Sequence, residues 1–262
     1  MRDAINIIWR LSVATEVILA ARLLLQGLGG VYPALVAGSC AFALQQTMLI
    51  LSVHHAFSRS RMQIAWKLTE PLAWLFWAWI VLELFSKWTR SYRGIGRFGR
   101  YLFVALIAVA LLVSLAAWPF EWKALVSKGD FRIYYIIHRV LMATFAVFTF
   151  LVWLFFRNYP TPVAPNVVRH TAVLLSYLAV SSLSILADTL SGTTLTAPVN
   201  LLLVTVSAGS FSAWAILLTR KGEAKESIPF IPPEEIEKIE RINRELLILM
   251  KKLPDEVGAG KY

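Results

Sequence analysis

Apolar residues fall along this chain in blocks of about twenty, each followed by a short polar or basic connector, a spacing that bilayer thickness imposes. Seven blocks can be drawn, at about 5–25, 31–53, 66–88, 101–118, 133–156, 171–190 and 199–219. The third organises the rest. It reads WKLTEPLAWLFWAWIVLELFSKW from Trp66 to Trp88 and continues at once into TRSYRGIGRFGR. At about 1.5 Å per residue its terminal indoles sit roughly 33 Å apart, one hydrocarbon thickness, with an aromatic marker at each interface. The pattern predicts an all-α polytopic membrane protein: a seven-transmembrane-helix bundle over 1–219 and a tail over 220–262. The tail carries an amphipathic helix at about 233–253.

Charge gives the blocks a direction. Lys87, Arg90, Arg93, Arg97 and Arg100 crowd the connector after the third block, which the positive-inside rule places in the cytoplasm. With seven crossings and the N-terminus outside, eleven basic residues face the cytoplasm and seven the outside, so the tail is expected to be cytoplasmic, in a bacterial inner membrane. Composition agrees with the class. Of 262 residues, 58% are hydrophobic and only 16% charged, with a positive mean hydropathy, outside the ordinary soluble range. The net charge of +10 lies in connectors and tail, where anionic lipid headgroups are a simpler partner than nucleic acid. A lone Cys40 excludes an internal disulfide and disfavours a thiol-ligated metal. Arg10 and Glu16 interrupt the first block and no small-residue cleavage site follows, so it reads as a retained helix rather than a signal peptide.

Polar side chains inside the blocks are the candidate chemistry, because charge at membrane depth is expensive and marks a site or an ion pair. Arg10, Glu16, Gln45, Gln46, Glu70, His138, Arg139 and Asp188 all fall in the outer half under this orientation, with Asn200 nearby. Two readings stand. Either Arg10 or Arg139 neutralises Glu16 or Glu70 while the glutamines bond across helices, or these residues line a small polar pocket open to the outside. Trp66, Glu70, Trp74 and Trp77 share a helical face, and a carboxylate among indoles suits an organic cation or an ordinary aromatic packing face. Pro71 locally opens the backbone there. Glu83 is expected to pair with Arg22 or a connector arginine, and Ser207, Ala208, Gly209, Ser210 and Ala213 to allow close helix contact. The four histidines form no metal or haem constellation. No zinc motif, phosphate loop or Schiff-base lysine in the last block is present, so no metal, cofactor or catalytic residue is expected.

The tail sequence PPEEIEKIERINRELLILMKKL places prolines and glutamates at its start and Lys251 and Lys252 at its end, complementing the helix dipole. Ile239, Ile242, Leu246, Leu249 and Leu253 form a stripe fit to lie on the bilayer, to self-associate or to meet a cytoplasmic protein partner. The order of Arg22, Tyr32-Pro33, Trp66 with Glu70-Pro71, Glu83, YRGIGRFGR and FFRNYP resembles a group of seven-helix membrane proteins of soil-type bacteria that carry no assigned activity. The resemblance covers 1–219 and implies topology, not mechanism. The functional expectation is a non-enzymatic sensor or adaptor passing an outer-side or membrane signal inward. Its rivals are a small-solute transporter, an intramembrane enzyme and a structural subunit of a membrane complex.

Overall fold

The computed structural model describes residues 2–54, 59–89, 99, 101, 104–105, 108–109, 112, 132–157, 163–191, 194–223 and 233–258. Among them the chain is all-helical. The helices are α1 (Arg2–Leu25), α2 (Pro33–His54), α3 (Arg59–Trp88), α4 (Arg132–Arg157), α5 (Pro165–Leu190), α6 (Thr196–Leu217) and the tail helix α7 (Pro233–Gly258). A 3-10 turn, Lys221–Glu223, follows α6. Among the described residues, five helices are long and apolar enough to cross a membrane: Pro33–Leu51, Ile64–Trp88, Ile133–Arg157, Pro165–Leu190 and Thr196–Leu217. α1 has the length, at 24 residues, but carries Arg10, Glu16 and Arg22. Most of the expected span 101–118 lies outside the described residues, as do Arg90, Arg93, Arg97 and Arg100.

Several ends differ from the sequence expectation. α3 begins at Arg59, since nothing in RSRMQIA breaks a helix before Pro71. α5 begins at Pro165 rather than 171, because proline at the first helical position has the φ a helix needs and an N–H that would be unpaired anyway. The tail helix runs through Pro254 to Gly258 instead of ending at 253. α1 stops at a Schellman motif. Gly27 takes φ 70° while Leu28 N–H donates to Leu23 O at 2.8 Å and Gly27 N–H to Leu24 O at 3.0 Å. This turn delivers Tyr32 to the bundle.

The helices close into a ring in chain order. α1 packs on α2, α2 on α3, α3 on α4, α4 on α5, α5 on α6, and α6 back on α1, while α3 also reaches across to α5. The interior holds Tyr32, Leu35, Ile80, Phe145, Phe148, Leu174, Phe211 and Trp214. The outside carries large apolar side chains all round, including Leu11, Val17, Leu44, Leu68, Leu75, Trp79, Leu183 and Ile216, a surface suited to lipid rather than water. Trp88 is not an interface marker as expected from its position. It is buried, stacked on Phe156 with ring centroids 5.3 Å apart, and its indole donates to Thr171 Oγ1 at 2.9 Å. Gly209 faces open space, so close helix packing in α6 falls to Ala208 and Ser210.

Candidate functional site

The bundle interior has three layers, set by how far each residue lies along its helix. The first is polar. On α1, Glu16 is fully buried; Gln46 Nε2 from α2 donates to its Oε1 at 2.6 Å, and the Ser12 hydroxyl lies 3.4 Å from the same oxygen. Ser12 Oγ is also 3.3 Å from Ser207 Oγ on α6. Beside this group, Glu70 on α3 meets α4: His138 Nδ1 lies 2.8 Å from its Oε1, and Trp74 Nε1 donates to that oxygen at 3.2 Å. Gln45 Nε2 reaches Thr69 Oγ1 at 3.1 Å and Glu70 Oε2 at 3.4 Å. Tyr134 packs on both Trp66 and Trp74, with centroids 5.4 and 6.1 Å apart.

The sequence candidates thus divide into two groups joined by the adjacent Gln45 and Gln46, rather than forming one. Arg10 is exposed and Arg139 half-buried beside His138. Asp188 is buried and receives the Thr196 hydroxyl at 2.9 and 3.1 Å, tying the end of α5 to the first turn of α6, and Asn200 is exposed. Glu70 takes a histidine, not an arginine, as its closest partner. If Nδ1 carries the proton, Oε1 accepts two N–H groups, an arrangement that holds a carboxylate in place and orients the imidazole. Trp77 packs on Phe42 and Tyr177, whereas Trp66 and Trp74 share Tyr134. His138→Leu is expected to cost about 1–3 kcal/mol by stripping Glu70 of that donor. Adding Glu70→Leu should recover part of the loss in a double-mutant cycle on the detergent-solubilised protein, and simple additivity would show that the pair does not interact.

The second layer is aromatic. Trp77 lies between Phe42 of α2 and Tyr177 of α5, stacked at centroid distances of 4.9 and 4.5 Å with 21° between planes on each side. These rings come four residues before Gln46 on α2 and seven after Glu70 on α3, so they floor the polar layer.

The third layer, where α3 ends and α2 begins, is a latch that sequence reading did not foresee. Glu223, in the 3-10 turn before the tail, accepts the Tyr32 hydroxyl at 2.8 Å and Asn166 Nδ2 at 3.0 Å. Asn166 also donates to Thr219 O at 2.7 Å and accepts Thr219 N–H at 3.3 Å. Gly222 lets the turn approach, since a Cβ there would lie 2.2 Å from Asn166 Oδ1. One expectation is corrected here. Glu83 does not turn to an arginine; it accepts the Ala34 N–H at 2.7 Å, satisfying one of the open donors in the first turn of α2. Lys87, of the basic run expected at lipid headgroups, is half-buried; it donates to Val31 O and lies 4.2 Å from the centre of the Tyr32 ring. Tyr32 precedes the crossing segment that starts at Pro33; burial, then the Glu223 and Glu83 carboxylates, push its phenol up from the ordinary 10.0. The neutral phenol is therefore favoured by folding: its contribution is complete below about pH 10 and is lost as the solution becomes more alkaline. His170, fully buried, meets Tyr32 and Trp214 edge-on at 5.7 and 5.4 Å.

On the tail helix, Ile239, Ile242 and Leu246 are half-buried, Leu249 is exposed, and the Leu253 side chain lies outside the described residues. Among the described residues no cluster of three or more His, Cys, Asp or Glu side chains is arranged to hold a metal ion. Comparison with protein-family models, curated proteins and solved structures returns no match.

Proposed function

We propose that this chain is a non-enzymatic membrane sensor or adaptor with seven crossings, its N-terminus outside and its tail in the cytoplasm. The polar layer receives an outer-side or membrane signal, and the latch passes it to the tail helix and a cytoplasmic partner. The bonding of Glu223 carries this reading. The residue that introduces the tail is held by Tyr32 at the start of α2 and Asn166 at the start of α5, so relative movement of those helices is felt where the tail departs. Two helices joined through one half-buried carboxylate make a two-state element that a ligand or bilayer can bias. A transporter is the rival favoured by Glu70 beside Pro71, where polar groups and an opened backbone suit a solute path.

Trypsin cleavage after Lys221 tests the proposal, because the bond lies within the latched turn and needs local opening to be cut. Tyr32→Phe removes a hydrogen bond to a carboxylate and is expected to speed cleavage about tenfold or more. Glu70→Gln, in the distant polar layer, is expected to change the same rate. If Tyr32→Phe acts and Glu70→Gln leaves cleavage untouched, the layers are not linked and the sensing reading fails. Solute flux in vesicles with unchanged cleavage would favour the transporter.

A further inference from the structure

Glu16 is a carboxylate at 0% exposure in the middle of a helix, and the two helices packed on it bring no charge to its depth. Neither α2 nor α6 contains a lysine, arginine, aspartate or glutamate, and His54 ends α2 about two turns from Gln46. Arg10 and Arg22, on α1 itself, are each six residues away, about 9 Å along the axis and on other faces of the helix. Among the described residues, the groups that face Glu16 are neutral: Gln46 from α2, Ser207 from α6, Ser12 on α1 and, near enough for an electrostatic interaction, the Tyr177 phenol of α5. A second observation concerns the acceptors. Glu16 Oε2 and Gln46 Oε1 are both buried and neither receives a hydrogen bond. Two such oxygens on side chains already bonded to one another are costly in an apolar interior unless something positive stands with them.

We infer that Glu16, Gln46, Ser12 and Ser207 form a binding site for a small monovalent cation, carried as a proton or as a sodium ion. The oxygen set decides the class. Hard oxygen donors disfavour soft metals, and one carboxylate among neutral oxygens balances a single positive charge but not a divalent ion. A proton would sit on Glu16 Oε2, from which it can donate to Gln46 Oε1. A sodium ion would take the same oxygens and release that proton, so charge at the site is conserved. The inference rests on the polar layer being the receiving end of the bundle, and it names what is received. It does not depend on the latch, so its failure and that of the tail reading are told apart by different measurements.

Dicyclohexylcarbodiimide is the probe, because it enters apolar interiors and reacts with protonated carboxyl groups. The full chain in liposomes is treated across a pH series, and adducts are located by peptide mass spectrometry. The expected result is an adduct at Glu16 that declines about tenfold per pH unit on the alkaline side and disappears in Glu16→Gln. At fixed pH, sodium chloride that suppresses labelling relative to equal choline chloride identifies sodium as an occupant; equal labelling in the two salts identifies the proton alone. Thermal unfolding adds a second readout. Glu16→Gln keeps the shape and removes the need for a cation, so its melting temperature should match or exceed the parent. An absent Glu16 adduct at acid pH while other carboxyls label, or marked destabilisation of Glu16→Gln, would overturn the site in favour of a fixed ion pair.

Discussion

Replacing Trp214 by alanine is expected to remove about 3–5 kcal/mol of folding stability, the range for emptying a buried tryptophan site. The indole is 0% exposed and touches two rings edge-on, Phe211 at 5.4 Å and His170 at 5.4 Å. His170 in turn meets Tyr32, so the cavity would open beneath the latch as well as inside α6. The neighbouring rings, fixed on α5 and α6, cannot collapse into it, and their dispersion contacts are simply lost. Trp214→Phe should be far milder. It keeps most of the ring and deletes an indole N–H that has no hydrogen-bond partner and is wholly buried. Reversible unfolding in mixed micelles measures both variants. A Trp214→Ala protein within about 1 kcal/mol of the parent, well below the expected range, would contradict the packing described.

Gly222→Ala is expected to unseat the latch. The new Cβ would stand 2.2 Å from Asn166 Oδ1 and 2.9 Å from its Cγ, and Asn166 is 0% exposed with its amide committed to Thr219 and Glu223. A flexible surface side chain would swing aside, but this one has nowhere to go without breaking bonds. Overpacking of this kind costs about 1–3 kcal/mol. The loss should fall on the turn rather than on the bundle, so tryptic cleavage after Lys221 rises while the melting temperature of the helices moves little. Gly209→Ala is the control. Nothing lies within 4 Å of its added methyl, and alanine is the better helix former by up to about 1 kcal/mol, so that variant should be neutral or slightly stabilised. Equal cleavage of Gly222→Ala and parent would remove glycine's proposed role.

The helical class was legible from block length alone, because a bilayer-crossing helix has few other ways to be written. Boundaries were less so. Pro165 falls in the connector between the blocks at 133–156 and 171–190, although proline starts a helix as readily as it ends one, and only the fold shows which. Among the candidate residues, burial of Glu16, Glu70 and Asp188 followed from hydropathy, but partner choice did not. Glu70 found His138 through the α3–α4 contact, and Glu83 found a backbone N–H on α2, pairings between helices that no spacing within one helix records. The latch was invisible for the same reason. Tyr32 and Glu223 are separated by 191 positions, and a tyrosine before a proline and a glutamate after a glycine each look like ordinary turn residues. Lys87, one of the basic run, also donates to Val31 O and lies over the Tyr32 ring, contacts between segments that the run itself does not record.

The stack of Phe42, Trp77 and Tyr177 limits what can pass. With rings 4.5 to 4.9 Å apart, water molecules have no gap in which to form a file between them. An ion that reached Glu16 from the polar side would find no water file between these rings, and by that route would have to leave the way it came. Occupancy could then register a gradient without dissipating it, and a leak would require Trp77 to tilt out of its sandwich.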